Sequence, residues 1–148
     1  MKQTLPYWHE LPDLDLYLDQ VLLYVNQTTN SSGLLEQKSL TASMINNYVK
    51  HKQLEKPIKK KYQKHQVARL IALTILKNVF SIQEISQTLN LLLISNDSES
   101  LYNHFVDCMR DEENEKTPDI IRFACQSVKL YYKTRQLTME LERSNYES

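Results

Sequence analysis

Glycine is almost absent: the 148 residues contain one, Gly33, beside four prolines. Tight hairpins and bulges draw on glycine, so a sheet-rich fold is disfavoured and an all-α fold is expected. A glycine-rich phosphate loop and a Gly-x-Ser-x-Gly nucleophile elbow are excluded on the same ground. Cysteine is scarce as well. Cys108 and Cys125 have no metal-ligand spacing and are expected to be reduced core thiols rather than a disulfide. His9, His51, His65 and His104 are scattered and form no ligand pattern with acids or thiols, so no metal and no cofactor is expected. With no catalytic constellation in view, the chain reads as a non-enzyme. Long apolar runs are missing too. The best, residues 67–80, is interrupted by Arg69, Lys77 and Asn78 and is too short to span a bilayer. The opening MKQTLPYWHELPDL carries no apolar signal core, so the expected compartment is the cytoplasm.

What the chain does have is a segregated charge. Its net formal charge is +0, from 18 basic and 18 acidic residues. Residues 38–77 nevertheless hold ten of the bases and one acid, Glu55, for a net +9. Residues 1–37 carry −4 and residues 78–148 carry −5, which returns the sum to zero. A merely solvated face would relieve its self-repulsion by interleaving acids, so a block this one-sided points to a polyanionic partner.

Periodicity supplies the elements. After an irregular lead in which Trp8 is expected to pack on the body, Asp13 is a candidate cap for a first helix. Leu14, Leu18, Val21, Leu22 and Val25 give that helix one apolar face, and it should end near residues 26–28. Residues 29–36, containing Asn30-Ser31-Ser32-Gly33, read as a loop. Thr41 caps a second helix running to about Gln53, with Ile45, Tyr48 and Val49 inward and Ser43, Asn46, Asn47, Lys50 and His51 mostly outward. Pro57 closes that region, and Ile58-Lys59-Lys60-Lys61-Tyr62 reads as a short extended segment or tight turn. Residues 63–80 are apolar nearly all round and should be the central buried helix. Ser81 and Glu84 form a capping-box signature for a fourth helix lined by Ile82, Ile85, Leu89 and Leu92. After Ser95-Asn96-Asp97-Ser98, a fifth helix is expected over about 99–110. The run Asp111 to Lys116 reads as a solvated connector, and a long sixth helix follows over 118–143. That last helix can lay a stripe of Ile121, Ala124, Val128, Tyr131 or Tyr132, Leu137 and Leu141 on its own domain or on a twin. Two parts are expected: 1–94 with the basic block, and a helical 95–148 with a dimerisation role.

The stretch Leu40-Thr41-Ala42-Ser43-Met44-Ile45-Asn46-Asn47-Tyr48-Val49-Lys50, then Leu54-Glu55-Lys56-Pro57, Lys59-Lys60-Lys61-Tyr62 and Phe80-Ser81-Ile82-Gln83-Glu84-Ile85, resembles the winged helix-turn-helix of the MerR type of bacterial regulators. Over residues 14–92 it is also similar to a group of small bacterial proteins that carry a domain of unknown function. Asn46 and Asn47 stand where the MerR pattern has an Arg and its first aromatic. The wing is shorter, all lysine and without glycine. The resemblance implies a MerR-like winged helix-turn-helix with a minimal wing followed by C-terminal helices.

The expectation is therefore a DNA-binding transcriptional regulator, a repressor, acting as a homodimer on double-stranded DNA. Asn can pair bidentately with adenine, and Ser and Lys can reach bases or phosphates. Ser43, Asn46, Asn47 and Lys50, with His51 beside them, form the reading face. Lys56, Lys59, Lys60, Lys61 and Lys64 are set as backbone clamps. The alternative is a helical protein–protein adaptor that uses the basic block and the last helix.

Overall fold

The computed structural model describes residues 4–30 and 39–147. The centre of the expected loop, residues 31–36, lies outside them. After a 3-10 turn at Trp8–Glu10 come β1 (Leu16–Tyr17), α1 (Leu18–Asn30), α2 (Ala42–Lys50), β2 (Lys61–Tyr62), α3 (Lys64–Leu76), α4 (Ile82–Leu92), α5 (Ser98–Met109) and α6 (Asp119–Glu147). The molecule is mainly helical, with one two-stranded antiparallel sheet that pairs Leu16 with Tyr62 and Tyr17 with Lys61.

The core is built round α3. Ten of its residues are buried, from Gln66 to Leu76 with Arg69 the exception. A helix without a polar face must be covered on every side, and α1, α4, α5 and α6 all pack on it. The buried Gln66 is bonded into that core: its side-chain amide donates to the carbonyls of Glu55 (2.8 Å) and Lys56 (3.2 Å), anchoring the segment after α2. The N-terminal lead is fastened to α5. Tyr7 Oη donates to Asp107 at 2.6 Å, Arg110 donates to the Leu5 carbonyl, and the Trp8 ring meets Tyr102 edge-on at 6.3 Å. Because an ionised tyrosine would face the Asp107 carboxylate, that hydrogen bond pushes the Tyr7 hydroxyl up to about 12. One continuous set of buried residues runs from Leu5 to Tyr132 and crosses the connection between α4 and α5.

The helices differ from the sequence expectation mainly at their ends. The first helix does not start at Asp13. Leu16–Tyr17 is drawn into extended pairing with Lys61–Tyr62, α1 begins at Leu18, and Leu14 is 81% exposed. Asp13 instead receives a 2.9 Å ion pair from Lys64. The same helix reaches Asn30, beyond the expected end. α2 stops at Lys50, three residues early, because Lys52 turns left-handed (φ 59°). The amides of Lys52 and Gln53 then return to the carbonyls of Val49 and Tyr48, a Schellman closure made without glycine. α3 ends at Leu76, and Val79 is exposed rather than inward. On α6, Ile121, Val128 and Tyr132 are buried as expected, whereas Leu137 (50%) and Leu141 (68%) face solvent.

Candidate nucleic-acid interface

α2 is set by its cap and its two buried side chains. Thr41 Oγ1 accepts from the Met44 amide at 3.2 Å, and Ile45 and Tyr48 enter the core. Three and four residues separate neighbours on one side of a helix, so fixing Ile45 and Tyr48 inward turns 43, 46, 47 and 50 outward. Ser43, Asn46, Asn47 and Lys50 are all exposed, and so is His51 at the C-cap. That face is amide- and hydroxyl-bearing, with one cation at its C-terminal end.

The lysine run after Pro57 folds into a two-residue hairpin. Ile58 N–H donates to the Lys61 carbonyl at 3.0 Å, and Lys61 N–H to the Ile58 carbonyl at 2.9 Å. Lys59 (φ 51°) and Lys60 (φ 68°) form its tip. Positive φ at both central positions is the geometry of a type I′ turn, which matches strand twist and ordinarily takes Asn-Gly. Here two lysines hold it and both are exposed. Beyond the tip, Lys61–Tyr62 continues as β2 against β1, so β1 acts as a third strand that props the hairpin. Lys61 lies over the exposed Tyr17 ring, 5.1 Å from its centroid.

The ten expected site residues thus divide. Ser43, Asn46, Asn47, Lys50, His51, Lys56, Lys59 and Lys60 are solvent-facing, while Lys61 and Lys64 are half-buried, over Tyr17 and against Asp13 respectively. The Lys64 contact holds the Asp13 carboxyl below its ordinary value. Among the described residues no ion pair involves Lys50, Lys52, Lys56, Lys59 or Lys60, and Glu55 is engaged by His65 at 3.1 Å. Five exposed cations without a fixed counter-charge give this region a positive potential. Arg69 is not among them. It is spent inward, donating to the Gln53 carbonyl at 2.8 Å and to Asn90 at 3.1 Å, and burial lowers its pKa.

Two residues escaped the sequence reading. Lys52 is exposed and held left-handed one residue past the C-cap, and Tyr17 stands beside the hairpin. Helical periodicity hides both: Lys52 falls within an expected helix, and Tyr17 within the expected start of another.

Elsewhere an apolar cleft of about 530 Å³ opens between α3, α4, α5 and α6, with Ile120 and Phe123 among the residues that line it. Among the described residues no group of three or more His, Cys, Asp and Glu could hold a metal, and no helix is long and apolar enough to cross a membrane. Cys125 is buried and Cys108 half-buried, and desolvation raises both thiol pKa values.

No curated protein and no solved structure matches the chain. A family model described as a domain of unknown function (DUF1836) matches residues 6–105, that is 100 of the 148, which takes in β1, the α2 face, the lysine hairpin and most of α5 and leaves α6 outside. The chain belongs to the DUF1836 family.

Proposed function

We propose that this protein is a DNA-binding transcriptional regulator, a repressor that occupies its operator as a dimer, and that residues 14–92 are a MerR-like winged helix-turn-helix with a two-residue lysine wing. The observation that carries the reading is the pairing of two features. One short helix turns Ser43, Asn46, Asn47 and Lys50 to solvent, and the hairpin that follows holds two exposed lysines at its tip. In this reading α2 enters the major groove, Asn46 and Asn47 read base edges, and Lys56, Lys59, Lys60 and Lys61 grip the backbone, with Lys64 joining if it exchanges Asp13 for a phosphate. The order strand, helix, helix, hairpin, helix supports it, as does the third strand that braces the wing.

The test is selection of bound sequences from random duplexes with the intact protein, repeated for Asn46→Ala/Asn47→Ala and Lys59→Glu/Lys60→Glu/Lys61→Glu. An enriched palindrome, flattened by the asparagine pair and bound weakly by the lysine triple, is the expected result. Unchanged site preference in the asparagine variant would remove α2 as the reading element. Unchanged duplex binding in the lysine triple would replace this reading with the adaptor.

A further inference from the structure

α6 carries two apolar stripes, and only one is covered. The first, Ile121, Cys125, Val128 and Tyr132, is buried against the body and stops at Tyr132. The second repeats every seven residues along an uncovered side. Ile120, Ser127, Thr134 and Leu141 fall on one heptad position, and Phe123, Leu130, Leu137 and Ser144 on the other. Its large members are exposed: Phe123 62%, Leu130 67%, Leu137 50% and Leu141 68%. Apolar residues at such spacing form the seam of a two-helix coiled coil.

The small polar members suit a dry seam. Ser127 Oγ donates to the Phe123 carbonyl at 2.9 Å and Thr134 Oγ1 to the Leu130 carbonyl at 2.8 Å, so neither hydroxyl needs a partner across an interface. Past Tyr132 no side chain among the described residues of α6 is buried. A free-standing helical segment of about 14 residues is marginal in water unless something packs on it.

We infer that a second copy of this chain covers the stripe, with the two α6 helices antiparallel and Lys133 of each facing Glu140 of the other. The flanking charges choose that arrangement. Antiparallel packing that sets Leu130 against Leu141 of the second copy, and Thr134 against Leu137, brings Lys133 and Glu140 together twice by symmetry. Sliding by one heptad either way faces Lys133 with Lys133 or Glu140 with Glu140. A parallel pair sets Lys133 beside Thr138 and forms no opposite-charge contact. The inference names the surface of the dimer in the reading above and depends on that reading only for the dimer's use on DNA.

The experiment is sedimentation equilibrium of the full chain without DNA. Wild type is expected to be dimeric, and Leu137→Glu/Leu141→Glu monomeric with an unchanged thermal transition of the body. Lys133→Glu and Glu140→Lys should each weaken the dimer by about 10-fold, since each turns two attractive contacts into two repulsive ones, and the double exchange should restore it. A monomeric wild type, or a dimer that survives Leu137→Glu/Leu141→Glu, overturns the inference. Failure of the double exchange to rescue overturns the antiparallel register. None of these readouts involves a duplex, so they fail or succeed apart from the DNA-binding test.

Discussion

Lys59 and Lys60 occupy backbone conformations that an L-residue with a Cβ enters at a cost of about 1–2 kcal/mol each. Asp111 (φ 62°) and Lys52 (φ 59°) do the same, so among the described residues the left-handed non-glycine positions all carry charged side chains. At the hairpin tip that choice is informative, since strain kept where a cheaper residue exists points to a use for the side chain. Lys59→Asn/Lys60→Gly, the residues a type I′ turn prefers, should therefore stabilise the fold. Allowing for the unfolded-state freedom glycine adds, the net gain is about 1 kcal/mol, or roughly 2–4 °C in Tm by scanning calorimetry. The same variant should lose about tenfold in duplex affinity at moderate salt, because two cations leave the interface. A stability gain with unchanged duplex affinity would make the lysines mere solubilising residues. The sequence identified the lysines and their exposure but not their strain. Nothing in the run Lys59-Lys60-Lys61 marks two of three residues as left-handed; that follows from the pairing of Ile58 with Lys61 and of Lys61–Tyr62 with β1, which is set by contacts over 40 residues apart in sequence.

Helix starts were more legible than helix ends, and the reason is chemical. A start is marked by a side chain that must accept an amide proton, so Thr41 and Ser81 could be recognised on sight. An end made by Lys52 in place of glycine carries no such mark. α3 could be recognised from composition alone because an all-apolar helix has one place to go. Leu16–Tyr17 could not, since two residues of strand hold no period. The α4 cap makes the local chemistry testable. Ser81 Oγ accepts from the Glu84 amide at 3.1 Å, and the Ser81 amide donates to Glu84 Oε1 at 3.0 Å. Ser81→Ala should cost about 1 kcal/mol in urea unfolding and leave duplex binding alone. The Ser81 amide also holds the Glu84 carboxyl below its ordinary value of 4.5. A depressed carboxylate contributes stability above its unfolded pKa and loses it as pH falls through the folded value, so this contribution is present at neutral pH and fades below about pH 4.5. Asp97, depressed by the Ser100 amide, behaves alike at the α5 start. Glu84→Gln keeps the cap geometry but removes the titration, so its urea midpoint should fall less steeply than wild type as pH drops from 5 towards 3. Parallel acid limbs in the two proteins would refute the assignment.

On the scale of the whole molecule, neutrality is the deceptive quantity. The sum of charges is +0, yet residues 38–77 carry +9, and in the folded chain their partners are few. Lys64 finds Asp13 and His65 finds Glu55, but Lys50, Lys52, Lys56, Lys59 and Lys60 are exposed with no ion pair among the described residues. The outward half of α6 is the complementary case. Its helical period was legible, but the division of its apolar residues between two faces was not: Leu137 and Leu141 fall on the uncovered side with Phe123 and Leu130, apart from the buried stripe of Ile121, Cys125, Val128 and Tyr132. Sequence spacing cannot say that the core stops at Tyr132. The charge distribution makes a prediction that depends on no single side chain. If each subunit neutralises about five phosphates, the logarithm of the association constant should fall against the logarithm of salt with a slope of about −4.5 per subunit. Between 50 and 200 mM monovalent salt that is a loss of between two and three orders of magnitude per subunit, and about twice as many for a dimer binding as a unit. Lys59→Glu/Lys60→Glu should lower the slope by about two per subunit at every duplex sequence, whereas Asn46→Ala/Asn47→Ala should leave it unchanged while reducing the difference between sites. The slope also separates the two readings of the basic block. Docking on an acidic protein surface releases no condensed counterions from a duplex, so a duplex slope near zero, or one insensitive to the hairpin lysines, would assign the positive charge to a protein partner.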